Sequence, residues 1–220
     1  MNCYFFVDGS ALLGDLLRMR RDALIPQNAK LNLSRFASYF TGPYLNAWHG
    51  GGYRRFVFYF VHEDARLEGV LVRPQATIPG AVNDLRVEYC GKRVRQYEQA
   101  NVWLEAHGAP EHVRECLYRS EKAVDTQICC DALQLAGTSK LDRLFLYTND
   151  YDFVPLFRSI RQLGANANLF RLRAEGVNFS LASEADAFHV VPETHLVGLF
   201  DSEPAQSAAP EANPSIEATS

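Results

Sequence analysis

With 220 residues, 47% of them hydrophobic and 22% charged, the chain has the length and composition of a soluble protein built on one α/β domain. Its apolar runs are strand-length, such as "FVFYFV" at 56–61, which excludes a transmembrane helix; "MNCYFFVDGS" has no basic start and stops being apolar at Asp8, which excludes a signal peptide. The last twenty residues hold four of the 26 acids and no base, so residues 1–200 carry 22 of each and lack a global field that would attract nucleic acid.

In chain order, "CYFFV" (3–7) is a continuous apolar run of buried-strand type. Ser10 can cap a helix whose Leu12, Leu13, Leu16 and Leu17 form one stripe. Its end, "RMRR" (18–21), places cations where the helix dipole favours them. Asn32 or Ser34 opens a second helix through Phe36 and Phe40, ending near Gly42-Pro43. "RFVFYFV" (55–61) is a second buried strand, and the polar, proline-broken stretch 62–83 reads as loop. "LRVEYCGKRVRQ" (85–96) alternates around Gly91 and reads as a hairpin or irregular ribbon. Helices are expected over 96–106 and from Asp125 to Ala136.

"RLFLYT" (143–148) is a third buried strand. The helix over 153–164 has Asp152 available as cap, Pro155 in its first turn and Gly164 at its exit. "ANANLFRL" (165–172) and "AFHVV" (187–191) supply a fourth and fifth strand. Buried strands alternating with amphipathic helices predict a three-layer α/β/α domain with a mostly parallel central sheet over 1–200. The tail, rich in Ala, Pro, Ser and Glu, is expected to be disordered from about Asp201 to 220. The five cysteines (3, 90, 116, 129, 130) show no metal or disulfide spacing. They read as reduced, mostly buried thiols of a cytoplasmic protein.

The chemistry lies in the aspartates. Asp8 ends the first strand, and Asp150 and Asp152 follow "RLFLYT". In open parallel sheets the ligand crevice lies outside the carboxyl ends of strands where their order reverses. If these two strands are neighbours, Asp8 faces Asp150, and Asp125 can add a third carboxylate from its helix. Such oxygens, with Ser10, Thr148 and Asn149 as helpers, suit Mg²⁺ or Mn²⁺. The plain alternative is that each Asp is a cap or turn residue: Asp152 for its helix, Asp125 for another, Asp8 in an Asx-turn. Asp131, six residues after Asp125, is rotated away from it and is as readily a surface or structural residue. "VHEDA" (61–65) reads more readily as a solvated loop, and "GKRVR" (91–95) as a solvated face rather than a phosphate-contacting ribbon.

"FVDGS" (6–10), "EKAVDTQICCDAL" (121–133) and "YTNDYDFVPLFRSIRQLG" (147–164) together resemble the NYN family of PIN-like ribonucleases. The resemblance implies a PIN-like fold and a divalent-metal nuclease acting on RNA, with Asp8, Asp125, Asp150 and Asp152 as both catalytic and metal-binding residues. Lys122 and Asp131 also match the family's pattern. Ser10, Lys122, Asn149, Lys92, Arg93 and Arg95 are the candidate substrate contacts. The family commonly has Asn where this chain has Ala11, a departure expected to lower the rate more than metal binding. The segment 62–120 matches nothing in that pattern. A non-catalytic RNA-binding or protein-interaction module is the alternative. No membrane contact is expected, and a homodimer is compatible with the sequence.

Overall fold

A computed structural model describes residues 1–41, 54–61, 66–72, 85–90, 92–93, 98–110 and 121–201. Its centre is a six-stranded sheet of β1 (Cys3–Asp8), β3 (Arg54–Phe60), β5 (Leu85–Tyr89), β8 (Arg143–Tyr147), β9 (Asn166–Arg171) and β10 (Ala187–Val190). The order across the sheet is β10-β9-β8-β1-β3-β5, and every pairing is parallel. From β1 the chain builds outward one way through β3 and β5, and later the other way through β8, β9 and β10. The order therefore reverses between β1 and β8.

Strands buried on both faces must be apolar at every position, which is why "CYFFV" lacks the alternation of a half-exposed strand. On one face Phe5, Val7, Phe56, Phe58, Phe145, Tyr147 and Phe170 pack against α1 (Gly9–Arg21) and α2 (Leu33–Thr41). Phe36 of α2 sits amid the aromatic side chains of this face, with ring centroids 5.8 Å from Phe56 and 6.0 Å from Tyr147. On the other face Tyr4, Phe6, Val57, Tyr59, Leu144, Leu146 and Leu169 pack against α5 (Val124–Gly137) and α6 (Val154–Gln162). The result is the three-layer arrangement expected from the sequence.

Smaller elements trim the core. β2 (Lys30–Asn32) pairs with β4 (Leu71–Val72) and with β11 (Phe200–Asp201). β4 follows the short helix α3 (Arg66–Val70). The expected loop over 62–83 thus contains a helix and a strand. Residues 62–65 and 73–84, including His62, Glu63 and Asp64, lie outside the described residues. The 85–96 hairpin is also corrected. β5 joins the central sheet beside β3, whereas β6 (Lys92–Arg93) pairs antiparallel with the distant β7 (Glu121–Lys122). α4 (Glu98–Ala106) agrees with the sequence. Asp201 pairs with Lys30, while residues 202–220, the expected disordered tail, lie outside the described residues. Cys3 is buried, but Cys130 is exposed, contrary to the expectation of mostly buried thiols. Among the described residues no helix is long and apolar enough to cross a membrane.

Candidate active site

The switch between β1 and β8 brings two carboxylates to one sheet edge. β1 and β8 run in register from Cys3 beside Arg143 to Val7 beside Tyr147, so Asp8 and Thr148 leave the sheet side by side. Asp8 is buried and caps α1: its Oδ1 accepts from the Ser10 N–H (2.9 Å) and the Ala11 N–H (3.3 Å). Asp8, not Ser10, is the cap. Its other oxygen, Oδ2, accepts from the Thr148 hydroxyl at 3.0 Å. The Asp150 N–H donates to that same hydroxyl at 3.1 Å. The fully buried Thr148 hydroxyl therefore ties Asp8 to the segment carrying Asp150.

Asp150 in turn caps a 3-10 turn, Tyr151–Phe153, by accepting from the Asp152 N–H at 2.9 Å. This turn feeds α6, so Asp152 lies in the first turn and is not the cap that the sequence offered. Asp150 and Asp152 are both exposed. Gly164 sits past the end of α6 at φ +85°, as its position predicted.

Asp125 comes from the opposite layer, in the first turn of α5. It does not cap that helix; the residue before the helix is Ala123, at φ 90° with no side-chain cap bond. A left-handed alanine is strained, and it turns the chain abruptly from β7 into α5. The Asp125 carboxyl is pushed up to about 6. Burial is the first cause, followed by the negative charges of Asp8, Asp150 and Asp152. Because Asp125 keeps solvent access, screening weakens the burial contribution. The like-charge repulsion shows that Asp8, Asp150 and Asp152 stand near enough to Asp125 for their charges to act on it. Among the described residues no three His, Cys, Asp or Glu side chains lie close enough together to hold an ion as they stand. The donor set nevertheless suits a hard cation, being all oxygen and carrying, at Asp125, a repulsion that no basic side chain among the described residues offsets.

Other candidates go elsewhere. Asp131 accepts from the Tyr59 hydroxyl (2.8 Å) and the Gln127 amide (2.8 Å), binding α5 to β3. Asn149 donates to the Gly176 carbonyl (2.8 Å) and accepts from the Asn178 N–H (2.8 Å), so it ties down a loop. Ala11 offers no polar group, and it packs against the core beneath α1. Lys92 and Lys122 are paired across the β6–β7 ribbon at the backbone level, just before α5. Arg95 lies outside the described residues.

Sequence reasoning missed the support below the site. Arg171, fully buried, donates Nε and Nη2 to Asp15 at 2.6–3.0 Å, and the Tyr147 hydroxyl donates to Asp15 at 2.5 Å. Arg171 Nη1 also reaches the Thr148 carbonyl at 3.4 Å. An aspartate inside the apolar stripe of a helix and an arginine ending a buried strand were the available signals.

The NYN domain model matches residues 46–194, more than half of the chain. The chain belongs to the NYN domain family. The NYN match contains Asp125, Asp150 and Asp152, whereas β1 and Asp8 precede it. NYN domains are nuclease-like folds, generally found in hydrolases. A crystal structure of a protein of unknown function from Vibrio parahaemolyticus is similar to this NYN domain at a TM-score of 0.48 and 15% identity, covering 87% of this chain and 93% of that one, too distant to carry an argument. No curated protein matches the chain.

Proposed function

We propose that this NYN protein is a Mg²⁺- or Mn²⁺-dependent ribonuclease. The observation that carries the reading is the mutual repulsion at Asp125, whose sources are Asp8, Asp150 and Asp152 at the switch point of a parallel sheet. Membership of a nuclease-like family supports the reaction class.

Asp8 and Asp150 are the proposed primary ligands, with Asp125 and Asp152 completing the set directly or through water. A bound divalent ion supplies a water of lowered pKa and neutralises charge at the phosphorus under attack. The chain's own residues position that chemistry. Thr148 fixes the spacing of Asp8 and the Asp150 segment, and the α1 amides hold the Asp8 carboxylate in one orientation. Lys92, Arg93, Arg95 and Lys122 are proposed phosphate contacts, because β7 runs directly into the helix bearing Asp125. Ser10, in the first turn of α1 beside Asp8, is a proposed substrate contact.

Labelled single-stranded RNA incubated with pure protein and Mn²⁺ should be cut, leaving a 5′-phosphate and a 3′-hydroxyl, and EDTA should abolish the cut. No EDTA-sensitive cleavage would overturn the reading. The methyl of Ala11, standing where the family commonly has Asn, favours a second reading: an attenuated site that binds RNA or a protein without cutting. Ala11→Asn in the same assay separates the two. Cleavage that appears or rises strongly marks an attenuated nuclease, whereas RNA binding without cutting by either protein marks a binding module.

A further inference from the structure

Two aromatic rings stand in water beside the acid crevice. Tyr151 lies between Asp150 and Asp152 in the 3-10 turn and is 52% exposed. Phe179 opens α7 (Phe179–Glu184) and is 89% exposed, although Leu181, two residues on, is fully buried. The 3-10 turn and α7 pack against each other.

The exposure of Phe179 is imposed by a tied backbone rather than by fraying. Asn149, one residue before Asp150, accepts from the Asn178 N–H and donates to the Gly176 carbonyl. The Asn178 side chain then caps α7, accepting from Ser180 N (3.0 Å) and Leu181 N (3.3 Å). A single exposed apolar side chain is ordinary. This pair differs in its place: Tyr151 follows Asp150 directly, and the backbone just before Phe179 is tied to Asn149, next to Asp150. Arg158 of α6, 59% exposed, lies close enough to interact with the Tyr151 phenol, and Glu184 of α7 holds its guanidinium.

Affinity for RNA needs a source here. Residues 1–200 carry equal numbers of acids and bases, and the four aspartates repel phosphate. Stacking on aromatic rings is independent of that charge, and every unpaired base offers a π-face. Bases inside a duplex are already stacked and cannot be splayed onto a protein ring.

We infer that Tyr151 and Phe179 form a base-stacking platform that holds unpaired bases of single-stranded RNA next to the phosphate facing the aspartates. This deepens the ribonuclease reading and rests on it.

Fluorescence anisotropy with a short labelled single-stranded RNA, and with a duplex of the same sequence, tests the platform in EDTA, where metal-dependent cutting is absent. Repulsion from the acids is common to all variants, so affinity ratios isolate the rings. Phe179→Ala and Tyr151→Ala should each weaken single-strand binding about 5- to 100-fold. The slope of log affinity against log salt should stay unchanged, because no phosphate contact is lost. Phe179→Trp should bind like wild type, and all proteins should bind duplex weakly. Melting temperatures should not move. Unchanged affinity in both alanine variants, equal loss in Phe179→Trp, or no RNA binding by wild type would overturn the platform. So would a marked fall in the melting temperature of Phe179→Ala, which would mark a structural role. Cleavage in Mn²⁺ reports separately. A wild type that cuts while both alanine variants bind normally sinks the platform alone. A wild type that binds through the rings but never cuts sinks the nuclease and leaves the platform.

Discussion

Asp125 titrates at about 6 in the fold, against an ordinary value of 3.8. The folded protein therefore holds this proton more tightly than the unfolded chain does. The stabilising contribution is complete below the unfolded value and is lost as pH rises through about 6. Metal-free protein should lose stability across that window, and Asp125→Asn should lose less. Melts of both proteins in EDTA at several pH values between 4 and 7 check this, and parallel curves would contradict it. Arg171 is the buried ion-pair partner of Asp15. Its removal leaves the buried Asp15 with only Arg18 and the Tyr147 hydroxyl as partners, so Arg171→Met should cost roughly 1.5–3 kcal/mol in urea denaturation. The double change Asp15→Leu/Arg171→Met should recover part of that loss, and a double variant no more stable than the single would contradict it. The caps read from the sequence are not the ones the structure uses. Ser10 and Asp152 looked like caps because both residue types cap helices, but Asp8, two residues before Ser10, caps α1, and Asp150, two residues before Asp152, caps the 3-10 turn that leads into α6, which itself has no side-chain cap.

Between β1 and α1 the chain has no room for a side chain at residue 9. A Cβ there would stand 2.5 Å from the Tyr59 carbonyl oxygen and 2.2 Å from the Phe60 ring. The ring can rotate, but the carbonyl belongs to β3 and cannot. Gly9→Ala should therefore push the start of α1 off the sheet, destabilise the protein by about 1–3 kcal/mol and displace Asp8. Thermal melts check the first effect, and an unchanged melting temperature would contradict the packing. Elements with one strong local signal were legible: β1, β3 and β8 from unbroken apolar runs, α6 from its stripe with Pro155 and Gly164 at its ends. The β6–β7 ribbon was not, because its partners lie far apart in sequence and each is two residues long. Leu85–Tyr89 misled because an edge strand, exposed along one side, alternates like a hairpin strand.

Across the whole molecule, strand order brings Asp8 and the segment carrying Asp150 to one sheet edge. The parallel sheet was legible in buried strands alternating with helices, and Asp8 can meet Asp150 only if β1 and β8 are neighbours. The order β10-β9-β8-β1-β3-β5 meets that condition. The Asp15–Arg171–Tyr147 assembly could not be read beforehand, since it joins α1, β9 and β8 only once the layers are packed. In the proposed reading Asp8, Asp125, Asp150 and Asp152 form one metal site whose charges repel when no metal is bound. Thermal melting of wild type and Asp150→Asn, each in EDTA and in millimolar Mn²⁺, tests it most directly. Asp150→Asn keeps the shape and removes one negative charge, so in EDTA it should melt above wild type. In Mn²⁺ the gap should shrink or reverse, because a ligand that binds the native state stabilises it, and only wild type has the intact site. A wild type with no Mn²⁺-dependent rise, together with a variant no more stable in EDTA, would contradict the claim.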